Sequence, residues 1–255
     1  MMHHYTNRSS RPDRNFLWRG AMAAAGVPPE HMQHHIARDK DDYPDVRTLC
    51  EAASADGFPE FFNYHKNSPH PYIGYGHLVC SWSVMRMWRT IAEGNATAVA
   101  WLDDYALRVP NTRLTRLVTA VEPDILLLAW HRRDELFYDD RYNLGRTWDV
   151  PRTLPLAPRP FKLHPGTMGA SDWALVLSPA GAKLLLSYMA NEPRVNTEYV
   201  AAALYADWRP ANFYSVAENH PHSHGLKPIF GNAWVLELQG YTDGDRSDLV
   251  GLHEG

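Results

Sequence analysis

Two adjacent carboxylates, Asp103 and Asp104, are the residues of this sequence best suited to chemistry. They follow residues 96–102, a nearly all-apolar run of the kind that forms a buried parallel strand. Acids at the end of such a strand suit Mg²⁺ or Mn²⁺, because these hard cations prefer oxygen ligands and bridge phosphate oxygens. An Asp-Asp pair taken alone is also compatible with a plain turn, in which one aspartate hydrogen-bonds the backbone after the strand.

A helix predicted over residues 78–93 leads into this strand. Its apolar residues recur every three or four positions, the spacing of an amphipathic helix: Leu78, Trp82, Met85, Trp88 and Ile91. Gly94 and Asn95 end the helix. A helix that feeds a buried strand with acids at its carboxyl end is typical of the ligand sites of open α/β sheets.

The same alternation of elements extends along the chain. We predict strands over residues 2–6, 31–36, 124–130, 173–177 and 213–216, and helices over residues 15–25, 46–55, 113–121, 179–189 and 200–205. Residues 43–72 contain several prolines and aromatic residues, and we expect a loop-rich insert beside the site. Together these patterns predict one α/β domain over residues 1–255.

Composition narrows the classes of partner. The chain has 255 residues, of which 45% are hydrophobic, and a net charge of −4. It can therefore bury one large core, and it lacks the overall basic field that favours nucleic acid. The polar N-terminal segment does not read as a secretory signal, and no apolar run reaches the roughly 18 residues of a membrane span. We expect a cytoplasmic protein with two reduced thiols, Cys50 and Cys80.

Several short motifs carry a family resemblance. Gly76 and His77 directly precede the predicted helix, Cys80, Ser81 and Trp88 lie on it, and Asp103 and Asp104 follow the strand. Near the N-terminus stand Asn7, Arg11, Asp13 and Arg14, and later Ser178, Gly181, Ala182, Leu184 and Leu185 open a helix. Taken in their order along the chain, these motifs resemble those of glycosyltransferase family 25, the lipooligosaccharide-type sugar transferases with a GT-A fold. One acid departs from the pattern, because the family's glutamate before the two aspartates falls at Leu102.

The resemblance implies a GT-A type, Rossmann-like mixed sheet flanked by helices, and a hexosyltransferase-like activity. The donor would be a nucleotide-sugar, with UDP as the expected nucleotide, and the acceptor a saccharide hydroxyl. Implied donor contacts are Asn7, Arg11, Arg14, Asp39, Gly76, Asp103, Gly169 and Ser247. Asp103, Asp104 and His220 would hold Mn²⁺ or Mg²⁺, and Asp104 and Glu198 would be catalytic, Glu198 as a general base or a sugar-binding carboxylate.

Some of these assignments have physical support of their own, and each has a plainer alternative. A loop between a strand and a helix N-terminus, with Arg11 and Arg14, favours phosphate, yet Arg14 could simply pair with Asp13. Asp39 could bind ribose hydroxyls or lie in a solvated turn. Glu198 could complement a helix dipole. His220, one of three alternating histidines, could lie in a polar loop.

Several functions remain open at this point. A sugar transferase acting on a saccharide is the first reading. A hydroxymethylated base in DNA is an alternative acceptor, since contact with a polymer needs only a local basic stripe. A nucleotide-sugar-binding module without activity is another alternative, because Leu102 replaces an acid. A metal-dependent phosphohydrolase that uses Asp103 and Asp104 is the third.

Overall fold

The computed structural model describes residues 1–67, 74–102, 105–131, 159–162, 170–193, 195, 197, 200, 213–217 and 235–237. Within these ranges the chain forms nine strands and six α-helices. The strands are β1 (Met2–Arg8), β2 (Met32–Ala37), β3 (Ala98–Leu102), β4 (Tyr105–Leu107), β5 (Ile125–His131), β6 (Arg159–Lys162), β7 (Ala170–Leu177), β8 (Phe213–Ala217) and β9 (Val235–Glu237). The helices are α1 (Pro12–Ala24), α2 (Val46–Ala55), α3 (Pro59–Asn67), α4 (Tyr75–Glu93), α5 (Asn111–Val121) and α6 (Pro179–Asn191).

Seven of these strands form one mixed sheet in the order β2-β1-β3-β7-β5-β8-β6. Strands β2, β1 and β3 are parallel to one another, and β8 is parallel to β5. Strand β7 runs antiparallel to both of its neighbours, and β6 is antiparallel to β8. Strands β4 and β9 pair separately as a two-stranded antiparallel sheet. The predicted α/β class with a mixed sheet is therefore confirmed.

Helices cover both faces of the large sheet. On one face α2, α3, α4 and α6 pack around a core that includes Trp82 and Trp88 of α4. On the other face α1 and α5 pack with β4 around Trp18, Tyr5 and Trp101. Because both faces are covered, all five residues of β3 are buried, as the continuous apolar run of this strand predicts.

Helix α4 confirms the periodicity of the sequence. Its five predicted apolar positions, residues 78, 82, 85, 88 and 91, are each no more than 2% exposed. Gly94 is the C-cap, as predicted, but the helix begins at Tyr75, one turn earlier than the apolar pattern alone indicates. Its first turn therefore contains Gly76 of the motif.

The segment after residue 43 is more regular than predicted. Alongside α2, which has the predicted bounds, it contains α3, which we did not predict. Phe61 and Phe62 of α3 are 1% and 0% exposed and stack edge to face. The phenylalanines of this segment, Phe58, Phe61 and Phe62, therefore belong to the core of one layer with α2 and α4. Residues 68–72 of the predicted insert lie outside the described residues.

Candidate functional site

The carboxyl ends of three parallel strands meet at one edge of the sheet. Thr6 of β1 is paired with Leu102 of β3, and Arg8 of β1 is paired with Ala37 of β2. Each strand is followed here by one of the predicted polar segments. Ligands of open α/β sheets bind outside such carboxyl ends, and we call this region the carboxyl edge.

Asn7 is the most deeply buried polar residue predicted for the site. Its side chain is 1% exposed, and its Nδ2 donates to the backbone oxygen of Arg11 at 2.9 Å. Arg11 is the N-cap residue of α1, so this bond ties the end of β1 to the start of the helix. The Oδ1 of Asn7 is buried without a hydrogen-bond partner. A buried acceptor left unsatisfied costs about 1–3 kcal/mol, and a ligand N–H or O–H would remove that cost.

Arg11 and Asp13 form an ion pair at the start of α1. The Nη2 of Arg11 lies 2.9 Å from Oδ2 of Asp13, and its Nε lies 3.1 Å from Oδ1. Hydrogen bonding from Arg11 lowers the pKa of the Asp13 carboxyl. Nε and Nη2 of the Arg11 guanidinium, which we expected to bind phosphate, therefore already donate to Asp13.

Arg14 is held differently from its neighbour. Its side chain is only 6% exposed and lies on the buried stripe of α1 with Trp18 and Met22. Asp13 is paired with Arg11, and no ion pair of Arg14 with Asp13 is found among the described contacts. The structure thus brings Asn7, Arg11 and Arg14 together around the N-terminus of α1, the end of the helix dipole that favours anions.

Asp39 follows β2 and caps a short turn. Its Oδ1 accepts from the backbone N of Asp41 at 3.3 Å, and Oδ2 of Asp42 accepts from the backbone N of Asp39 at 3.4 Å. This reciprocal arrangement is a capping box. The turn therefore engages the Asp39 carboxylate, and contact with a ribose stays a prediction.

Gly76 lies in the first turn of α4, next to the segment that follows β2. Neighbouring Tyr75 donates from its hydroxyl to the backbone oxygen of Tyr43 at 2.7 Å. This bond places the N-terminus of α4 beside the polypeptide that leaves the carboxyl edge. Gly76 is half-buried there.

The remaining predicted site residues lie outside the described residues: Asp103, Asp104, Gly169, Glu198, His220 and Ser247. In the ranges that the structure covers, no group of three or more His, Cys, Asp or Glu side chains could hold a metal ion. Leu102, at the position of the family's glutamate, is 6% exposed and packs in the core with α4. Its side chain therefore belongs to the hydrophobic core of that layer.

Sequence reasoning missed Arg38, which directly follows β2. Its Cζ lies 4.9 Å from the ring centroid of Trp82, and its backbone N donates to Oγ of Ser83 at 2.9 Å. Position alone could have pointed to it, since a basic residue at the end of a parallel strand adjoins any ligand bound there. Our interpretation instead gave weight to the acidic residue that follows it.

The histidines of β1, which are buried, and His35 of β2, which is half-buried, were also missed. His3 is 0% exposed, accepts from Nε1 of Trp101 at 3.2 Å and lies 3.1 Å from Oδ1 of Asn111. Nδ1 of His4 and Nε2 of His35 are 2.9 Å apart. Burial lowers the pKa of His3 to about 3 and the pKa values of His4 and His35 to about 4. These imidazoles are neutral near pH 7, and their hydrogen bonds link β1 to β2 and to β3. Among the described residues they do not form a group that could hold a metal ion.

Comparison with known proteins adds no relative: no family model matches the chain, and no curated protein matches it. The resemblance to glycosyltransferase family 25 therefore rests on the motifs. Among the helices that the structure describes, none has the length and apolar character needed to cross a membrane.

Proposed function

We propose that the protein is a glycosyltransferase that transfers a sugar from a nucleotide-sugar donor to an acceptor hydroxyl. UDP is the expected nucleotide of the donor. A saccharide is the expected acceptor. The proposal includes a GT-A type sheet and places the nucleotide at the carboxyl edge.

The observation that carries this proposal is the buried Asn7 amide at the junction of β1 and α1. Its Nδ2 is engaged by the helix N-cap, whereas its Oδ1 has no partner. A nucleobase N–H or a ribose hydroxyl would satisfy this acceptor. The N-terminus of α1 follows this junction, and the positive end of its dipole favours the phosphates of the same ligand.

The metal and acid chemistry of the proposal rests on the motif residues. Asp103 and Asp104 follow Leu102, the last residue of β3, in the sequence. Asp103, Asp104 and His220 would hold Mn²⁺ or Mg²⁺, which supplies Lewis-acid stabilisation of a diphosphate leaving group. Glu198 is the proposed base for the acceptor hydroxyl.

A nucleotide-sugar-binding module without turnover is the second candidate, and Leu102 favours it. In the family pattern this position carries a glutamate, and here a leucine packs in the core. The carboxylate of that glutamate is absent here, so the acidic cluster is smaller than that of the family. Donor binding without release of nucleotide would identify this candidate.

A panel of nucleotide-sugars tests both candidates by thermal shift, with and without Mn²⁺. A ligand that binds the native state raises the melting temperature by mass action. We expect one nucleotide-sugar to raise it in a metal-dependent way, and Asp104→Ala to abolish the metal-dependent part. Arg116→Gln is the matched surface control, because this exposed residue lies on α5.

The same donor is then incubated with candidate saccharides, and free nucleotide is measured. Acceptor-dependent release supports the transferase, and binding without release supports the module. Cleavage of simple phosphate esters without any acceptor, together with no response to nucleotide-sugars, would replace both readings by a phosphohydrolase.

A further inference from the structure

A guanidinium group without a carboxylate partner lies at the carboxyl end of β2. Arg38 is half-buried, and the described contacts include no ion pair for it. Its Nε is buried without a hydrogen-bond partner. Of its three side-chain nitrogens, Nε is the one that is both buried and unsatisfied. A buried donor without an acceptor is unfavourable, and an incoming acceptor would relieve it.

The position of this cation is fixed before any ligand arrives. Its backbone N donates to Oγ of Ser83 at 2.9 Å, and its Cζ lies 4.9 Å from the Trp82 ring centroid. The indole is itself oriented, because Nε1 of Trp82 donates to Oδ2 of Asp56 at 2.7 Å. A guanidinium stacked on a fixed aromatic ring loses less conformational entropy when it binds.

The two arginines of α4 near the same indole differ from Arg38. Arg86 and Arg89 each lie 3.2 Å from a carboxylate oxygen of Asp56. Asp39 and Asp42, which follow Arg38 closely in sequence, hydrogen-bond the backbone of their own turn. Asp39, Asp42 and Asp56 are thus engaged elsewhere, and the described ion pairs do not include Arg38, which leaves its charge for a group from outside.

We propose that Arg38 is an anion-binding residue that takes an oxyanion, a phosphate or a carboxylate, of a ligand at the carboxyl end of β2. The guanidinium fork matches both groups through two parallel N–H···O bonds. After the second strand of a nucleotide-binding sheet, an acid binds ribose hydroxyls, whereas an arginine accommodates a ribose phosphate. Asp39 is held in its capping turn, so the oxyanion is favoured. The inference needs neither metal, donor sugar nor Asp104, and it goes beyond the proposed function.

Titration of the full chain with inorganic phosphate, and separately with acetate, tests this site at constant ionic strength. The Nε–H resonance of Arg38 in ¹⁵N NMR reports binding at the residue itself, and Arg38→Gln assigns it. We expect the resonance to shift on titration. Calorimetric affinity should be about tenfold weaker or more in Arg38→Gln, because a charge-assisted bond pair is lost. Arg38→Lys, which keeps the charge without the fork, should be intermediate, and Arg116→Gln should equal wild type.

Phosphate also stabilises proteins generally by exclusion from their surface, so a rise in melting temperature alone is not the readout. A response to one anion and not the other identifies the group and supports the site. Equal affinities in wild type and Arg38→Gln would overturn the proposal, and so would an unshifted Arg38 resonance. Circular dichroism establishes that Arg38→Gln is folded; if it is not, Arg38→Lys decides by the same comparison. No nucleotide-sugar or Mn²⁺ is present, so this result is independent of the donor experiment.

Discussion

At the scale of single residues, several polar side chains in the described part of the chain are held by contacts distant in sequence. Asp56 is the clearest case among the described residues. It accepts from the Trp82 indole 26 residues away and pairs with both Arg86 and Arg89. The same indole supports Arg38, so one carboxylate both stabilises α4 and orients the residue that we propose to bind anions.

Asp56→Ala should lower the free energy of unfolding by about 2–3 kcal/mol, because a buried indole N–H and two guanidinium groups lose their acceptor. Urea denaturation measures this change. The matched control is Glu51→Ala, whose carboxylate is 49% exposed and pairs with Arg47 and Lys66. Exposed pairs contribute roughly 0–1 kcal/mol, so the control should change little. Equal losses in the two variants would contradict the role of Asp56.

At the scale of elements, α6 is positioned by a close approach to β5. Ser178 caps the helix by accepting from the backbone N of Gly181 at 2.9 Å, and its hydroxyl also donates to Asp124 at 2.9 Å. A Cβ at Gly181 would lie 1.9 Å from the backbone oxygen of Asp124. The Ser-x-x-Gly spacing is therefore a packing requirement of this junction, whatever the function.

Gly181→Ala should destabilise the fold by about 2 kcal/mol or more, because backbone would have to move to admit the methyl group. Gly20→Ala on α1 is the control, since nothing lies within 4 Å of its added Cβ. That substitution should raise stability by roughly 0.5–1 kcal/mol through helix propensity. Thermal or urea unfolding distinguishes the two, and a Gly181→Ala protein as stable as wild type would argue against the close approach.

Sequence patterns predicted the elements whose signals are local. Apolar spacing identified α4, and Ser178 with Pro179 identified the start of α6. Strand β1 carries the polar residues His3, His4, Thr6 and Asn7, yet it is the central partner of β2 and β3. The imidazole of His3 has its partners in the distant residues Trp101 and Asn111, which no local pattern contains. The short strand β4 pairs with β9 far along the chain, and it was missed because no local pattern indicates that partner.

The candidate site shows the same division. Asn7, Arg11 and Arg14 share one strand-to-helix turn, so their proximity could be predicted from sequence. The capping of a turn by Asp39 is local, within residues 39–42, whereas the stacking of Arg38 on Trp82 depends on how β2 meets α4. The stacking contact is tertiary, and spacing along the chain does not determine it.

At the scale of the whole molecule, the buried His3 and His4 and the half-buried His35 make stability depend on pH. The pKa values of His3, His4 and His35 are lowered by burial from the ordinary 6.5 to about 3, 4 and 4. Below pH 6.5 the unfolded chain binds protons that the folded chain does not, so stability falls as the pH falls. The loss extends to about pH 4 for His4 and His35 and to about pH 3 for His3.

Each of these histidines should contribute up to about 1.4 kcal/mol per pH unit to this slope. Urea unfolding between pH 7 and pH 4 measures it. His35→Gln should reduce the slope of the free energy of unfolding against pH by about the contribution of one histidine. Arg116→Gln should leave this slope unchanged. An equally steep slope in His35→Gln would show that the imidazole of His35 is already protonated in the folded state.

The proposed function also belongs to this scale, because it joins the ends of β1, β2 and β3 in one ligand site. Calorimetric titration of UDP into wild type and Asn7→Ala tests that claim most directly, with unfolding curves to confirm that the variant is folded. We predict that UDP binds wild type, that Asn7→Ala weakens binding by about tenfold, and that Arg116→Gln leaves it unchanged. UDP binding that is insensitive to Asn7, or no binding to wild type, would contradict a nucleotide site at the carboxyl edge.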